Sequence, residues 1–155
     1  MNPGGYFEFK DVDLTPFSAI EDFDVKSSAL GNIKELLWKA YATYDIDLSA
    51  VSTISSIMKE VGFVDIEERR IQIPFGKWAT SWTKGESYKG LGILWGAFLL
   101  GSLDDLTYKP FQQGLGWSHE EYVVHLALLK KKVMVEYKTG RMYFYMTLIY
   151  GRKAP

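Results

Sequence analysis

The sequence contains no cysteine, which removes disulfide scaffolds, thiolate metal ligands, cysteine nucleophiles and thiol redox switches together. Histidine is nearly as scarce, with two among 155 residues, so a histidine-rich metal site is not expected. No sign of charge predominates: 18 Lys and Arg face 19 Asp and Glu, a formal net charge of −1. Without a basic footprint, neither nucleic acid nor an anionic membrane is an expected partner. Long apolar runs are missing too. The longest, Leu91–Leu103, is too short to span a bilayer, and Met1-Asn-Pro-Gly-Gly-Tyr6 has neither the basic region nor the apolar stretch of a signal peptide. A soluble, cytoplasmic protein is expected. What the chain does have is aromatic surface: 5 Trp, 10 Tyr and 9 Phe. Its length fits a single domain, residues 1–155, able to bury roughly two thirds of its unfolded surface.

The elements alternate. Tyr6 to Val12 is aromatic and alternating after the Pro3-Gly4-Gly5 turn signal and reads as a strand, followed by a polar connection, Asp13 to Ser27, that holds Pro16. Ile33, Leu36, Leu37, Ala40, Tyr41 and Tyr44 keep the period of an amphipathic helix. A second helix is expected from about Ser49, with Val51, Ile54, Ile57, Met58 and Val61 on one face and Gly62 as its stop. Phe63 to Ile73 is extended but has a charged centre, Glu67-Glu68-Arg69-Arg70, which predicts a bulge or a departing strand. Phe75 to Tyr88 reads as a loop, and Leu91–Leu103, apolar all round, as a helix buried within the domain or against a partner. Ser118-His-Glu-Glu121 is a capping box that opens a helix with Tyr122, Leu126, Leu129 and Val133 on one face. Met142–Tyr150 carries no charge and reads as a strand covered on both faces, with Gly151–Pro155 as a surface tail. The order is strand, two helices, strand, helical insertion, helix, strand: an α/β pattern with too few strands for an ordinary doubly wound sheet.

Four segments give this pattern a likeness: Pro3–Asp11, Val61–Ile66 with Pro74–Trp78, Leu115–Glu121, and Tyr150-Gly-Arg-Lys153. In order and spacing they resemble the C-terminal half of class I S-adenosylmethionine-dependent methyltransferases of filamentous fungi, the group that includes the secondary-metabolism regulator-type enzymes. The resemblance implies a partial, Rossmann-like methyltransferase fold of about three strands and four to five helices, entered at the fifth strand of seven. It implies that the glycine-rich cofactor loop and the ribose-binding acidic residue are not in this chain, hence no cofactor. Gly90-Leu-Gly92 and Gly114-Leu-Gly116 follow no apolar strand, and a phosphate or cofactor loop needs a strand to aim it; close packing and turns are the expected role of both. Where the family commonly has a His before the last strand, this chain has Arg141. The lost strands would expose the edge of the first strand and the sheet beside it, which a homodimer would cover.

Candidate chemical groups are few. Asp13, just past the end of the first strand with Glu8 and Asp11 nearby, sits where open α/β sheets hold ligands and is the candidate general base; the alternative is a solvated strand end. His125, beside the apolar face of its helix, is either a second catalytic group or a hydrogen-bonded core residue. Tyr41, Tyr44, Trp78, Trp82, Trp95 and Phe98 fall in segments that the resemblance assigns to the acceptor pocket and its lid, with core packing as the other reading. Taken together, these features point to a SAM-independent enzyme of fungal secondary metabolism. It would bind a hydrophobic intermediate and promote cyclisation or isomerisation, a pericyclic step of Diels–Alder type included. The other readings are a non-catalytic interaction module and a split subunit that pairs with a methyltransferase.

Overall fold

The structure is a computed structural model that describes residues 2–81 and 86–154. Its order is β1 (Tyr6–Ser18), α1 (Ala29–Ala42), a 3-10 turn (Ala50–Thr53), α2 (Ile54–Glu60) and β2 (Phe63–Pro74). A 3-10 helix (Lys77–Ser81), α3 (Glu86–Lys109), a π turn (Pro110–Gly114), α4 (His119–Thr139) and β3 (Met142–Lys153) complete it. The α/β class holds. The three strands form one antiparallel sheet in the order β1-β3-β2. Bonds just beyond the strand ends mark the neighbours of β3: Gly4 N–H to Lys153 O (2.9 Å) and Ala19 N–H to Arg141 O (3.1 Å) flank its pairing with β1, and Phe75 N–H to Met142 O (2.8 Å) and Ala154 N–H to Gly62 O (3.2 Å) flank its pairing with β2. The uncharged strand lies in the centre, and none of its residues is exposed.

The chain divides into two compact units, and each strand contributes to both: Met1–Leu14, Leu48–Gln72 and Tyr145–Pro155 form the first, Thr15–Asp47 and Ile73–Phe144 the second. In the first, α2 buries Met58, and Gly62 ends the turn at φ 87° as expected, but Ile57 and Val61 are exposed and do not share the buried face. β2 runs unbroken through its charged centre, whose side chains pair in solvent, Arg69 with Glu67 (3.0 Å) and Arg70 with Glu68 (3.4 Å). Its irregular backbone lies earlier, at Asp65 (φ 53°). Gly151–Lys153 is part of β3, not a surface tail. A Cβ on Gly151 would stand 2.9 Å from both Met58 Cε and Ile66 Cγ1, so glycine lets the strand continue beneath α2.

In the second unit the helices carry the core. Ser118 caps α4 as its spacing predicts, accepting the Glu121 N–H (3.1 Å) while the Glu121 carboxylate accepts the Ser118 N–H (2.8 Å). All four expected inward residues, Tyr122, Leu126, Leu129 and Val133, are buried. α1 begins four residues before Ile33 because two groups hold its first turn. Ser28 Oγ accepts the Gly31 N–H (2.9 Å), and Glu136 of α4 accepts from Ala29 (2.5 Å) and Leu30 (3.1 Å). A carboxylate there offsets the positive end of the helix. The helix ends at Ala42, so Tyr44 lies beyond it.

Three further expectations need correction. β1 is not over at Val12: Pro16 is buried within it, and the strand ends where Ser18 Oγ donates to Gly140 O (2.8 Å) and accepts the Ile20 N–H (3.0 Å). An edge strand tolerates a proline because one side of its backbone needs no ladder partner. The stretch Phe75–Tyr88 is not all loop, since it contains the 3-10 helix and the start of α3. Finally, α3 is longer than the apolar run and buried along one stripe only, Gly92, Gly96, Leu99, Leu103 and Thr107, while Leu94 is 70% and Phe98 58% exposed. Pro110, with no N–H to donate, marks its end and the start of the π turn. No helix among the described residues is long and apolar enough to cross a membrane.

Between α3 and α4, Thr107 Oγ1 donates to Leu103 O (2.6 Å), the Tyr122 hydroxyl donates to Asp104 O (3.3 Å), and the two hydroxyls lie 3.1 Å apart. Burial, ahead of the nearby Asp104, raises the Tyr122 phenol above its ordinary value of 10.0. A raised folded-state value gives stability that is complete below pH 10.0 and lost as pH rises through the folded value. Melting temperature is thus expected to fall from about pH 10 upward, and less steeply in Tyr122→Phe. Parallel slopes in the two proteins would refute this assignment. Tyr150, also raised, remains in both.

Candidate functional site

A cavity lies at the start of α4, within the second unit. The π turn, Gly116 at φ 73° and the bond from Trp117 N–H to Phe111 O (3.2 Å) turn the chain back before Ser118 caps the helix. The indole of Trp117 is held edge to face between Phe111 (5.0 Å, 64°) and His125 (4.8 Å, 64°). Phe111 is fully buried and also meets Tyr122 (6.3 Å), so the indole rests on the core. Glu120, Glu121, Val124, His125 and Leu128 lie on the adjoining face of the first turns of α4. With Trp117 they line a groove of about 560 Å³, a size suited to a small organic molecule.

The groove is mainly apolar with a few polar groups. His125 is exposed and neither ring nitrogen has a hydrogen-bond partner among the described residues. It is therefore not a satisfied core histidine, and both nitrogens are available to a bound molecule. Glu120 is likewise exposed, whereas Glu121 is occupied by the cap. Beyond His125 and Leu128 a smaller cavity of about 150 Å³ continues between Ser27, Ser28, Asn32 and Lys132.

The other expected residues fall elsewhere. Asp13 is not past the end of β1 but inside it, half-buried. It belongs to the first unit and His125 to the second. Trp78 lines a separate groove of about 340 Å³ with Lys77, Tyr137 and Lys138. Trp95 stacks on Phe98 (5.5 Å, 29°) and meets Phe144 (5.9 Å); its indole N–H is buried without a partner among the described residues. Tyr41 is half-buried near the end of α1 and Tyr44 is 44% exposed beyond it. None of these last four lines the groove at α4. Trp82 lies outside the described residues. Among those residues there is no group of three or more His, Asp or Glu placed to hold a metal.

One glycine of each pair serves close packing, while Gly116 makes a turn at φ 73° and Gly90 has nothing within 4 Å of a would-be Cβ. Gly90 and Gly92 lie inside α3, where a Cβ on Gly92 would be 2.2 Å from the Gly76 carbonyl; a Cβ on Gly114 would be 2.7 Å from that of Ala40. In the first unit, Glu67 is held below the usual carboxylate range by the Tyr150 hydroxyl first and Arg69 second. That cluster lies at the surface, with Glu67 and Arg69 exposed and Tyr150 half-buried, and lines none of these cavities. Most of the lining residues are not among the candidates from the sequence, the aromatic walls Trp117 and Tyr137 included. Trp117 stands in the Gly-Trp-Ser cap motif, which marked a helix start and not a wall; Tyr137 is a single aromatic near a helix end, with no local signal of its own.

No protein-family model matches this chain, and no curated protein matches it.

Proposed function

We propose that the chain is a cofactor-independent, cytoplasmic enzyme of fungal secondary metabolism. It takes a hydrophobic intermediate into the groove at the start of α4 and promotes its cyclisation or isomerisation, a Diels–Alder-type closure included. The observation that carries the reading is the pairing of an apolar wall, Trp117 held between two rings with Val124 and Leu128 beside it, with an imidazole whose nitrogens have no partner among the described residues. A pericyclic closure requires no cofactor: a wall that folds a flexible chain into its reactive conformer removes entropy from the barrier. The N–H of His125 then donates to a substrate carbonyl as it gains electron density. For an isomerisation, the unprotonated nitrogen takes a proton from one carbon and returns it at another.

The resemblance to the C-terminal half of the fungal methyltransferases supports the same reading. An acceptor pocket without the cofactor half would retain binding and lose methyl transfer.

The test is to incubate the purified protein with linear, hydrophobic polyenes that carry an activated carbonyl dienophile, and to follow the cyclised product. A rate above the uncatalysed one, reduced about 100-fold in His125→Ala, is expected if the imidazole supplies the proton or hydrogen bond. Rates equal to buffer for every precursor would sink the proposal, and calorimetric binding of S-adenosylmethionine would overturn its cofactor independence.

The exposed row Val124, Leu128 and Val135 on α4, with Leu94 and Phe98 on α3, favours a homodimer or an interaction module as a second reading. A monomer by sedimentation, with no captured methyltransferase, counts against both.

A further inference from the structure

We propose that the groove between Trp78 and Tyr137 is a binding site for a small planar aromatic carboxylate, separate from the groove at the start of α4. Both of its walls are locked in place. The Trp78 indole N–H donates to two carbonyls, Met142 O (3.0 Å) and Phe75 O (3.2 Å), which fixes the plane of the ring. Tyr137 meets Phe75 edge on (5.2 Å, 82°) and is seated where two glycines leave room for it. A Cβ on Gly96 would be 2.2 Å from Tyr137 Cε2, and one on Gly76 would be 2.2 Å from Tyr137 O. Walls already fixed lose little freedom when a flat ligand docks on them.

Each wall brings a cation with it. Lys77 precedes Trp78, Lys138 follows Tyr137, and both lysines are exposed and line the groove. No acidic residue appears among its described lining residues. The Tyr137 hydroxyl, which has no hydrogen-bond partner among the described residues, adds a donor. The cavity of about 340 Å³ accommodates one or two fused rings. Flat apolar walls select the aromatic body, while two lysines and a phenol select the carboxylate. The groove at α4 presents Glu120 and Glu121 instead, so an anionic ligand also discriminates between the two.

The probe is 2-naphthoate, compared by calorimetry at low ionic strength with neutral 2-naphthamide and cationic 2-naphthylmethylammonium. Naphthoate is expected to bind about fivefold more tightly than the amide, and more tightly still than the ammonium, with the advantage shrinking as salt is added. The double variant Lys77→Gln, Lys138→Gln changes only exposed side chains, and an unchanged melting curve will establish that it folds. It should lower naphthoate affinity about fivefold and leave the amide unaffected. Equal affinity for the three probes, no naphthoate binding, or a double variant that binds naphthoate as tightly as the parent would each overturn the proposal. None of these results bears on catalysis in the groove at α4.

Discussion

Gly92→Ala should destabilise the protein by about 1–3 kcal/mol and lower its melting temperature by roughly 2–12 °C. The sign is the informative part. Gly92 lies inside α3, where alanine is ordinarily better than glycine by about 1 kcal/mol. Tertiary structure reverses this, because the new Cβ would be 2.2 Å from the Gly76 carbonyl oxygen, a backbone atom that cannot rotate away. Nor can Gly76 easily retreat. It sits at φ 107°, a Cβ of its own would meet Tyr137 O at 2.2 Å, and its N–H donates to Gly92 O (3.1 Å). Overpacking costs about 1–3 kcal/mol and loss of that hydrogen bond about 1 kcal/mol, together more than the helix gains. Thermal unfolding decides the matter: a melting temperature equal to or above the parent's would show that the two segments do not approach so closely.

The second large effect is expected from Phe111→Ala, a loss of about 3–5 kcal/mol, a large share of the stability of an ordinary domain. Phe111 is fully buried, so truncation leaves a cavity as well as removing apolar contact. It also removes the edge-to-face partner of Trp117 and of Tyr122, pairs worth about 0.5–1.5 kcal/mol each beyond their area. Denaturant unfolding should show a lower midpoint with an unchanged slope. The milder Phe111→Leu keeps more of the volume and should remain folded. It should nevertheless weaken whatever the groove at α4 binds, because Phe111 holds the Trp117 wall without lining the groove itself. A midpoint shift worth less than about 1 kcal/mol in the alanine variant would mean that the site collapses around the gap.

Much of the architecture was legible because its signals are local. The capping box from Ser118 to Glu121 concerns atoms within one turn, and the inward row from Tyr122 to Val133 repeats every three or four residues. The uncharged run from Met142 identified the strand buried in the middle of the sheet. The site was less legible. His125 was recognised, but as a residue beside a core face; that it meets Trp117 depends on the turn at Pro110–Gly114. Asp13 was placed one element too late because Pro16 reads as a break, whereas an edge strand accommodates it.

The sequence by itself therefore determined the order of strands and helices, the α/β class, and the face that α4 turns inward. These follow from caps, periods and charge-free runs that act over a few residues. Only the tertiary structure decided how far β1 extends, which side of α3 stays uncovered, and which rings become walls. Those outcomes depend on approaches such as Gly76 to Gly92, Tyr137 to Gly96 and Trp78 to Met142. Each joins segments well separated in the chain, where a missing Cβ or the second lone pair of a carbonyl matters only once the partner has arrived.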